Sequence, residues 1–153
     1  MDAPELIDGV TLTELRQIND ARGAVLHMLR SDAQDFTHFG ECYFSEVMPG
    51  AVKAWKRHRA QTQNLSVPVG RILMVLYDDR ESSRSHGRLQ ILELGRPDAY
   101  QRLRIPPGPW YGFRCISAAP ALLVNCPDLL HDPAEADTRS LTDAAIPYVW
   151  NPA

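Results

Sequence analysis

The sequence predicts an all-β protein, an antiparallel sandwich or barrel with little helix. Short runs rich in Val, Ile, Leu, Tyr and Phe recur from end to end, and several alternate apolar with polar residues. In addition, 12 prolines and 9 glycines punctuate the 153 residues at short intervals. Strands at that spacing, closed by Gly and Pro turns, build sandwiches and barrels rather than helical bundles.

Each element has its own signal. "GVTLTELR" opens the series, and "DARG" over 20–23 makes a turn before "GAVLHMLR". "ECYFSEVMPG" alternates, so that Tyr43, Ser45 and Val47 share one face while Phe44 and Glu46 share the other. From Gly50 to Gly70, "GAVKAWKRHRAQTQNLSVPVG" reads as two strands meeting at a corner, with each glycine allowing a turn of positive φ. There follow "RILMVLYDD", the polar loop "SSRSHG", "RLQILELG", the turn "GRPD", "AYQRLRIPPG", "YGFRCIS" and "ALLVNCPD". The best helix signal is Asp132-Pro133, an N-cap with proline at the first helical position, followed by "AEAD" as an acidic first turn. No repeat, low-complexity tract or linker divides the chain. Residues 1–153 are therefore expected to form one domain, long enough to close a core without disulfide or metal.

Composition narrows the function classes. The hydrophobic fraction of 44% and charged fraction of 23% are ordinary for a soluble globular protein. A formal net charge of −3 gives no general attraction to nucleic acid or to an anionic membrane. The start, "MDAPELIDG", is acidic and lacks the apolar stretch of a signal peptide. No apolar run approaches the roughly 20 residues that span a bilayer. Cys42, Cys115 and Cys126 are odd in number, widely spaced and set in strand-like segments, which points to reduced thiols in a cytoplasmic protein.

The Gly50–Gly70 stretch has the spacing of a metal-binding cupin motif: glycine, five residues, His-x-His, four residues, Glu, six residues, glycine. Three of its ligand-type positions read Lys56, His58 and Gln63. Alternate residues of a strand share a face, so Lys56 and His58 are expected to point inward together. In "IPPGPWYGF", Pro106 and Gly108 are followed by Tyr111 where a third histidine would stand. One histidine among Lys, Gln and Tyr does not make a Zn, Fe or Mn site, so no metal and no cofactor is expected.

A metal-free pocket of this kind resembles the dTDP-4-dehydrorhamnose 3,5-epimerases and related nucleotide-sugar epimerases. Further landmarks of the likeness are "DARG", "PGAVKAW", "VGRILMVLYDDR", "IPPGPWYGF", "LLVNCPD" with "DPAEAD", and the closing "TDAAIPYVW". They extend from about Leu12 to Trp150. The resemblance implies a cupin (jelly-roll, double-stranded β-helix) domain that pairs as a homodimer. It also implies removal of a proton beside a C4 keto group and its return on the opposite face, which needs a base, an acid and a cation or donor for the enolate. On the cupin frame Lys56 takes the place of the family's base histidine, and a register with a gap promotes His58 instead. The family's enolate lysine falls at Gln63, its proton-donating tyrosine at Val124, and the histidine of Ala-His-Gly-Phe at Tyr111. Asp143 matches the aspartate that orients the base, and Arg22 matches a residue that contacts the diphosphate.

The candidate catalytic residues are thus Lys56, His58, Tyr111 and Asp143. The candidate substrate-binding residues are Arg22, Gln61, Gln63, Asn64 and Trp110. All but Asp143 also have a structural reading: His58 as a core histidine, Lys56 as an edge-strand lysine, Trp110 and Tyr111 as packing, Arg22 as a solvated turn residue, and the amides as satisfied strand ends. Two functions stay open, a cofactor-free epimerase or isomerase of a nucleotide-linked 4-keto-6-deoxy sugar and a cupin that binds a nucleotide sugar without turning it over. A metal-dependent oxygenase or isomerase is the outsider.

Overall fold

A computed structural model describes residues 5–151, so the first four residues of the acidic start and residues 152–153 lie outside the described residues. Twelve strands follow one another: β1 (Thr11–Glu14), β2 (Gln17–Asp20), β3 (Gly23–Leu26), β4 (Tyr43–Val47), β5 (Val52–His58), β6 (Gln63–Val69), β7 (Arg71–Tyr77), β8 (Leu89–Gly95), β9 (Gln101–Ile105), β10 (Trp110–Cys115), β11 (Ala121–Asn125) and β12 (Ala136–Thr138). Two five-stranded sheets, ordered β1-β9-β6-β11-β4 and β12-β5-β10-β7-β8, pack face to face with every pairing antiparallel. This is the jelly-roll sandwich expected from the sequence. Strands β2 and β3 form a separate two-stranded ribbon turned at "DARG".

Successive side chains alternate between the inside and outside of each sheet, and the inward sets meet as the core. Val47, Leu65, Val67, Leu103, Ile105 and Leu123 come from the first sheet, and Ile72, Met74, Leu76, Leu94 and Phe113 from the second. A smaller aromatic cluster covers the outer face of the second sheet: Trp55, Val75, Trp110 and Ile146, with Tyr148 and Trp150 of the closing segment packed against them. Trp55 and Trp150 have ring centroids 5.2 Å apart.

The glycines that frame the Gly50–Gly70 stretch take positive φ, 77° at Gly50 and 75° at Gly70, as the corner geometry requires. Pro68 cannot donate to a ladder, and it falls where the pairing of β6 with β11 shifts register between Leu122 and Val124. The helix expectation needs correcting. Asp132 does cap a turn, accepting from the Ala134 N–H, but only Pro133–Glu135 coil as a single 3₁₀ turn. Ala136 and Asp137 of the expected helix, with Thr138, instead form β12, because the open edge of β5 captures their backbone, with Ala136 opposite His58 and Thr138 opposite Lys56. Among the described residues no helix is long and apolar enough to cross a membrane.

Candidate functional site

A cavity of about 420 Å³ opens between the two sheets. Such a volume suits a small-molecule site. The first sheet contributes Tyr43 and Ser45 of β4, Leu65 of β6, and Leu123 and Asn125 of β11. The second contributes Lys53 and Lys56 of β5, Tyr111 and Phe113 of β10, and Thr138 of β12. Tyr111 stands opposite Lys56 in the β10–β5 ladder, and Phe113 opposite Lys53. Two steps along β10 thus span three along β5, and this bulge turns both lysines to the cavity where strict alternation would separate them. Lys53 Nζ donates to Ser45 Oγ across the gap between sheets at 2.8 Å.

Behind Tyr111 lie two more side chains in line. His58 Nε2 is 3.2 Å from the Tyr111 hydroxyl, and His58 Nδ1 meets Glu135 Oε1 in a short contact. Both His58 and Tyr111 are buried. Glu135 sits at the end of the 3₁₀ turn, and its other oxygen accepts the Ala60 and Gln61 N–H groups, each at 3.0 Å. Burial pushes the Glu135 carboxyl up, but the hydrogen bonds from His58, Ala60 and Gln61 outweigh this and hold it below the usual range. An ionised carboxylate only accepts, so His58 donates Nδ1–H to Glu135 and leaves Nε2 to accept from Tyr111. Burial also lowers the His58 pKa, against the opposing pull of Glu135, and so favours the neutral imidazole. Burial pushes the Tyr111 phenol well above its ordinary value, so it stays protonated.

On the facing wall, Asn125 Nδ2 donates to the Tyr43 hydroxyl at 2.8 Å, which leaves the Tyr43 hydrogen free to point elsewhere. The second hydrogen of that amide goes to Gln63 Oε1, Gln63 Nε2 donates to Gln61 Oε1, and Gln61 Nε2 donates to the Leu130 carbonyl. This buried amide relay fixes the orientation of Asn125 and, through it, of Tyr43. Burial raises the Tyr43 pKa, and the Asn125 hydrogen bond partly offsets the rise.

The residues singled out from sequence therefore separate. Lys56 and Tyr111 line the cavity, and His58 stands directly behind Tyr111. Gln61 and Gln63 do not line it, since they are spent in the relay that holds Asn125. Asn64, next to Gln63 on its strand, faces the other way and donates to the Cys126 carbonyl at 3.1 Å. Trp110, next to Tyr111, likewise turns outward, where its Nε1 donates to Asp79 at 3.0 Å and the Arg57 and Arg139 guanidinia lie over its ring. Asp143 does not reach His58: it accepts the Ala145 N–H at 2.9 Å and lies 3.9 Å from Arg139, while Glu135 holds the histidine. Arg22 is 90% exposed at the tip of the β2–β3 ribbon and pairs with Asp20.

Sequence reasoning missed Tyr43, Lys53, Asn125 and Glu135. The alternation of "CYFSEV" placed Tyr43 on a face with Ser45 and Val47, which was the available signal, but nothing local says that this face borders Tyr111. A second concavity, of about 550 Å³, lies among Thr11, Arg16, His27, Arg30, Asp35 and Arg102, away from these groups. Among the described residues no group of three or more His, Cys, Asp and Glu side chains could hold a metal ion.

Comparison with known proteins agrees with this architecture. The family model of the dTDP-4-dehydrorhamnose 3,5-epimerases matches residues 4–153. A solved dTDP sugar isomerase from Desulfovibrio desulfuricans G20 is similar at 52% identity and a TM-score of 0.92, over 94% of this chain and 92% of that one. The probable low-salt glycan biosynthesis epimerase Agl13 of Haloferax volcanii is 37% identical over 144 residues, 93% of this chain and 88% of its own. The spore coat polysaccharide biosynthesis protein SpsL of Bacillus subtilis is 30% identical over 148 residues, 95% of this chain and 97% of its own.

Proposed function

We propose that this chain, which belongs to the dTDP-4-dehydrorhamnose 3,5-epimerase family, is a cofactor-free epimerase of a nucleotide-linked 4-keto-6-deoxy sugar. Its likeness to a dTDP sugar isomerase and to a glycan biosynthesis epimerase supports that reading. The observation that carries it is the pair of phenols, Tyr111 and Tyr43, on opposed walls of one cavity. Inversion at carbon needs one group on each face of a flat enolate, and a sugar ring lying between the sheets presents one face to each wall.

The steps follow from the hydrogen bonds. The Tyr111 oxygen takes the proton from the carbon beside the keto group while its own proton passes to His58 Nε2. Transfer in concert avoids a free buried tyrosinate, which burial disfavours. Glu135 stabilises the imidazolium that forms. The electron pair of the broken C–H bond moves to the keto oxygen, and cationic Lys56 stabilises the resulting enolate. Tyr43 then delivers its proton to the carbon from the other wall. Solvent reprotonates Tyr43, and His58 releases its proton to solvent.

Lys53, on the same wall as Lys56, supplies a positive charge for the diphosphate. Arg22 lies on a projecting ribbon and does not line this chain's cavity, so any diphosphate contact from it reaches a second copy. The exposed Ile18 and Val25 of the ribbon support a homodimer. Three free cysteines support a cytoplasmic location.

A binding module that holds the nucleotide sugar without turnover is the second reading. It is favoured by the position of His58 behind Tyr111 rather than on the cavity wall. Incubation with dTDP-4-dehydro-6-deoxyglucose, followed by NMR of the sugar, separates the two. The enzyme reading expects a product inverted at C3, C5 or both. Stabilisation by dTDP with the sugar recovered unchanged would establish the binding module instead.

A further inference from the structure

Strands β4 and β11 pair from Ala121 opposite Val47 to Asn125 opposite Tyr43. One step further along the same register sets Cys126 opposite Cys42. The ladder does continue there, since the Gly40 and Glu41 N–H groups both donate to the Pro127 carbonyl, at 2.9 and 3.4 Å. The backbone of Cys126 faces away from β4: its N–H donates to the Asn64 carbonyl at 2.9 Å, and its own carbonyl accepts from Asn64 Nδ2 at 3.1 Å. Cys42 and Cys126 are therefore a non-hydrogen-bonded antiparallel pair. In such pairs the Cα atoms lie about 4.5 Å apart, within the roughly 4.4–6.8 Å that a disulfide spans. Both thiols are free, Cys42 exposed and Cys126 buried. Burial, together with the neighbouring Cys42 thiol, pushes the Cys126 thiol up to about 12. The third cysteine, Cys115, is buried in the other sheet and directs its thiol at Ser117 and Ala119.

We propose that Cys42 and Cys126 form a reversible cross-strand disulfide, a modification site on the outer face of the wall whose inner face carries Tyr43 and Asn125. The oxidant is a low-molecular-weight disulfide of the glutathione class. The exposed Cys42, as thiolate, attacks one sulfur of that disulfide and expels one thiolate, leaving a mixed disulfide at Cys42. Cys126 then loses its proton and attacks the Cys42 sulfur, expelling the second thiolate. Two protein thiols and one small disulfide become one protein disulfide and two small thiols, with two electrons passing to the oxidant. Closure is the slow step, because the buried thiol is rarely ionised, and its rate rises about tenfold per pH unit across the neutral range. The same basicity makes Cys126 a poor leaving group, so reduction of the closed form is slow. Strand β4 is the edge of its sheet, its ladder among the described residues is with β11 alone, and the bond would fix it at the residue before Tyr43.

The test uses the full chain and oxidised glutathione, with thiol titration in denaturant and mass spectrometry of unreduced peptides. The expected result is a fall from three titratable thiols to one, a linked Cys42–Cys126 peptide within a single chain, and recovery of all thiols with dithiothreitol. Cys115→Ala should lose both of its remaining thiols in the same way. Cys126→Ser should stop at a glutathione adduct on Cys42. If that variant does not fold, Cys42→Ser, altered at an exposed position, should form neither adduct nor link at Cys126. The proposal is overturned if wild-type protein keeps all its thiols, stops at the adduct, or links only between chains.

Discussion

Burial holds the His58 imidazole below its ordinary range, while Glu135 pulls it back up. In the proposed mechanism the neutral form accepts the proton, so turnover should be flat through neutral pH and fall only as pH drops below the usual histidine value of about 6.5. Glu135→Gln removes the upward pull, so the acidic limb of the rate profile should move to lower pH. It should also lower the plateau by about 10²-fold, because nothing then fixes the tautomer or stabilises the imidazolium. A plateau unchanged in Glu135→Gln would show that the carboxylate serves only the corner N–H groups. Tyr43→Phe should separate two events, with deuterium still entering the substrate from the Tyr111 side while inversion falls about 10²-fold. NMR of the sugar reads both. At this scale the sequence was legible where one strand suffices: Lys56 and His58 share a face by the period of two, and Tyr111 falls where the frame wants an inward residue. The same period excludes Trp110 and Asn64 once Tyr111 and Gln63 point inward. Glu135 and Asn125 were not legible, because their partners lie 77 and 82 residues away.

Two glycines that look alike in sequence differ in their surroundings. A Cβ at Gly50 would meet nothing within 4 Å, whereas one at Gly70 would come within 2.6 Å of the Ala121 backbone. Both take positive φ. Gly50→Ala should therefore cost about 1 kcal/mol of backbone strain. Gly70→Ala should cost about 3 kcal/mol, since strain and overpacking combine. Denaturant midpoints compare the two. After β7, the fully buried Asp78 accepts from the Arg80 side chain at 2.8 Å and from the Ser83 and Ser85 hydroxyls, each at 2.6 Å. Burial pushes this carboxyl up, but those hydrogen bonds prevail and hold it well below the usual range. A depressed folded pKa contributes stability above the unfolded value of about 3.9, and the contribution is lost as pH falls below it. Asp78→Asn should remove that acid dependence and lower stability by about 2 kcal/mol near neutrality. The corner glycines could be read from the sequence because positive φ is a local demand. The exchange of the expected helix for β12 could not, because it depends on the open edge of a strand 80 residues earlier in the chain.

Across the whole molecule, the two sheets share one core, and the cavity lies between them as an unfilled part of that interface. Two sheets that share one core should unfold in a single cooperative transition. Sedimentation should give twice the chain mass if the β2–β3 ribbon docks on a second copy, and the chain mass if it does not. The sandwich was legible because turn spacing and alternation recur along the whole chain, but which two strands face each other across the cavity is a property of the closed fold. The proposed epimerisation depends on proton transfer between a sugar carbon and the Tyr111–His58–Glu135 relay. The most direct measurement is NMR of dTDP-4-dehydro-6-deoxyglucose in D₂O with the wild type and with His58→Asn. Deuterium at C3 or C5 with the wild type, slowed at least about 10²-fold in the variant, is the predicted result. No exchange by the wild type, or equal exchange by both proteins, would contradict it.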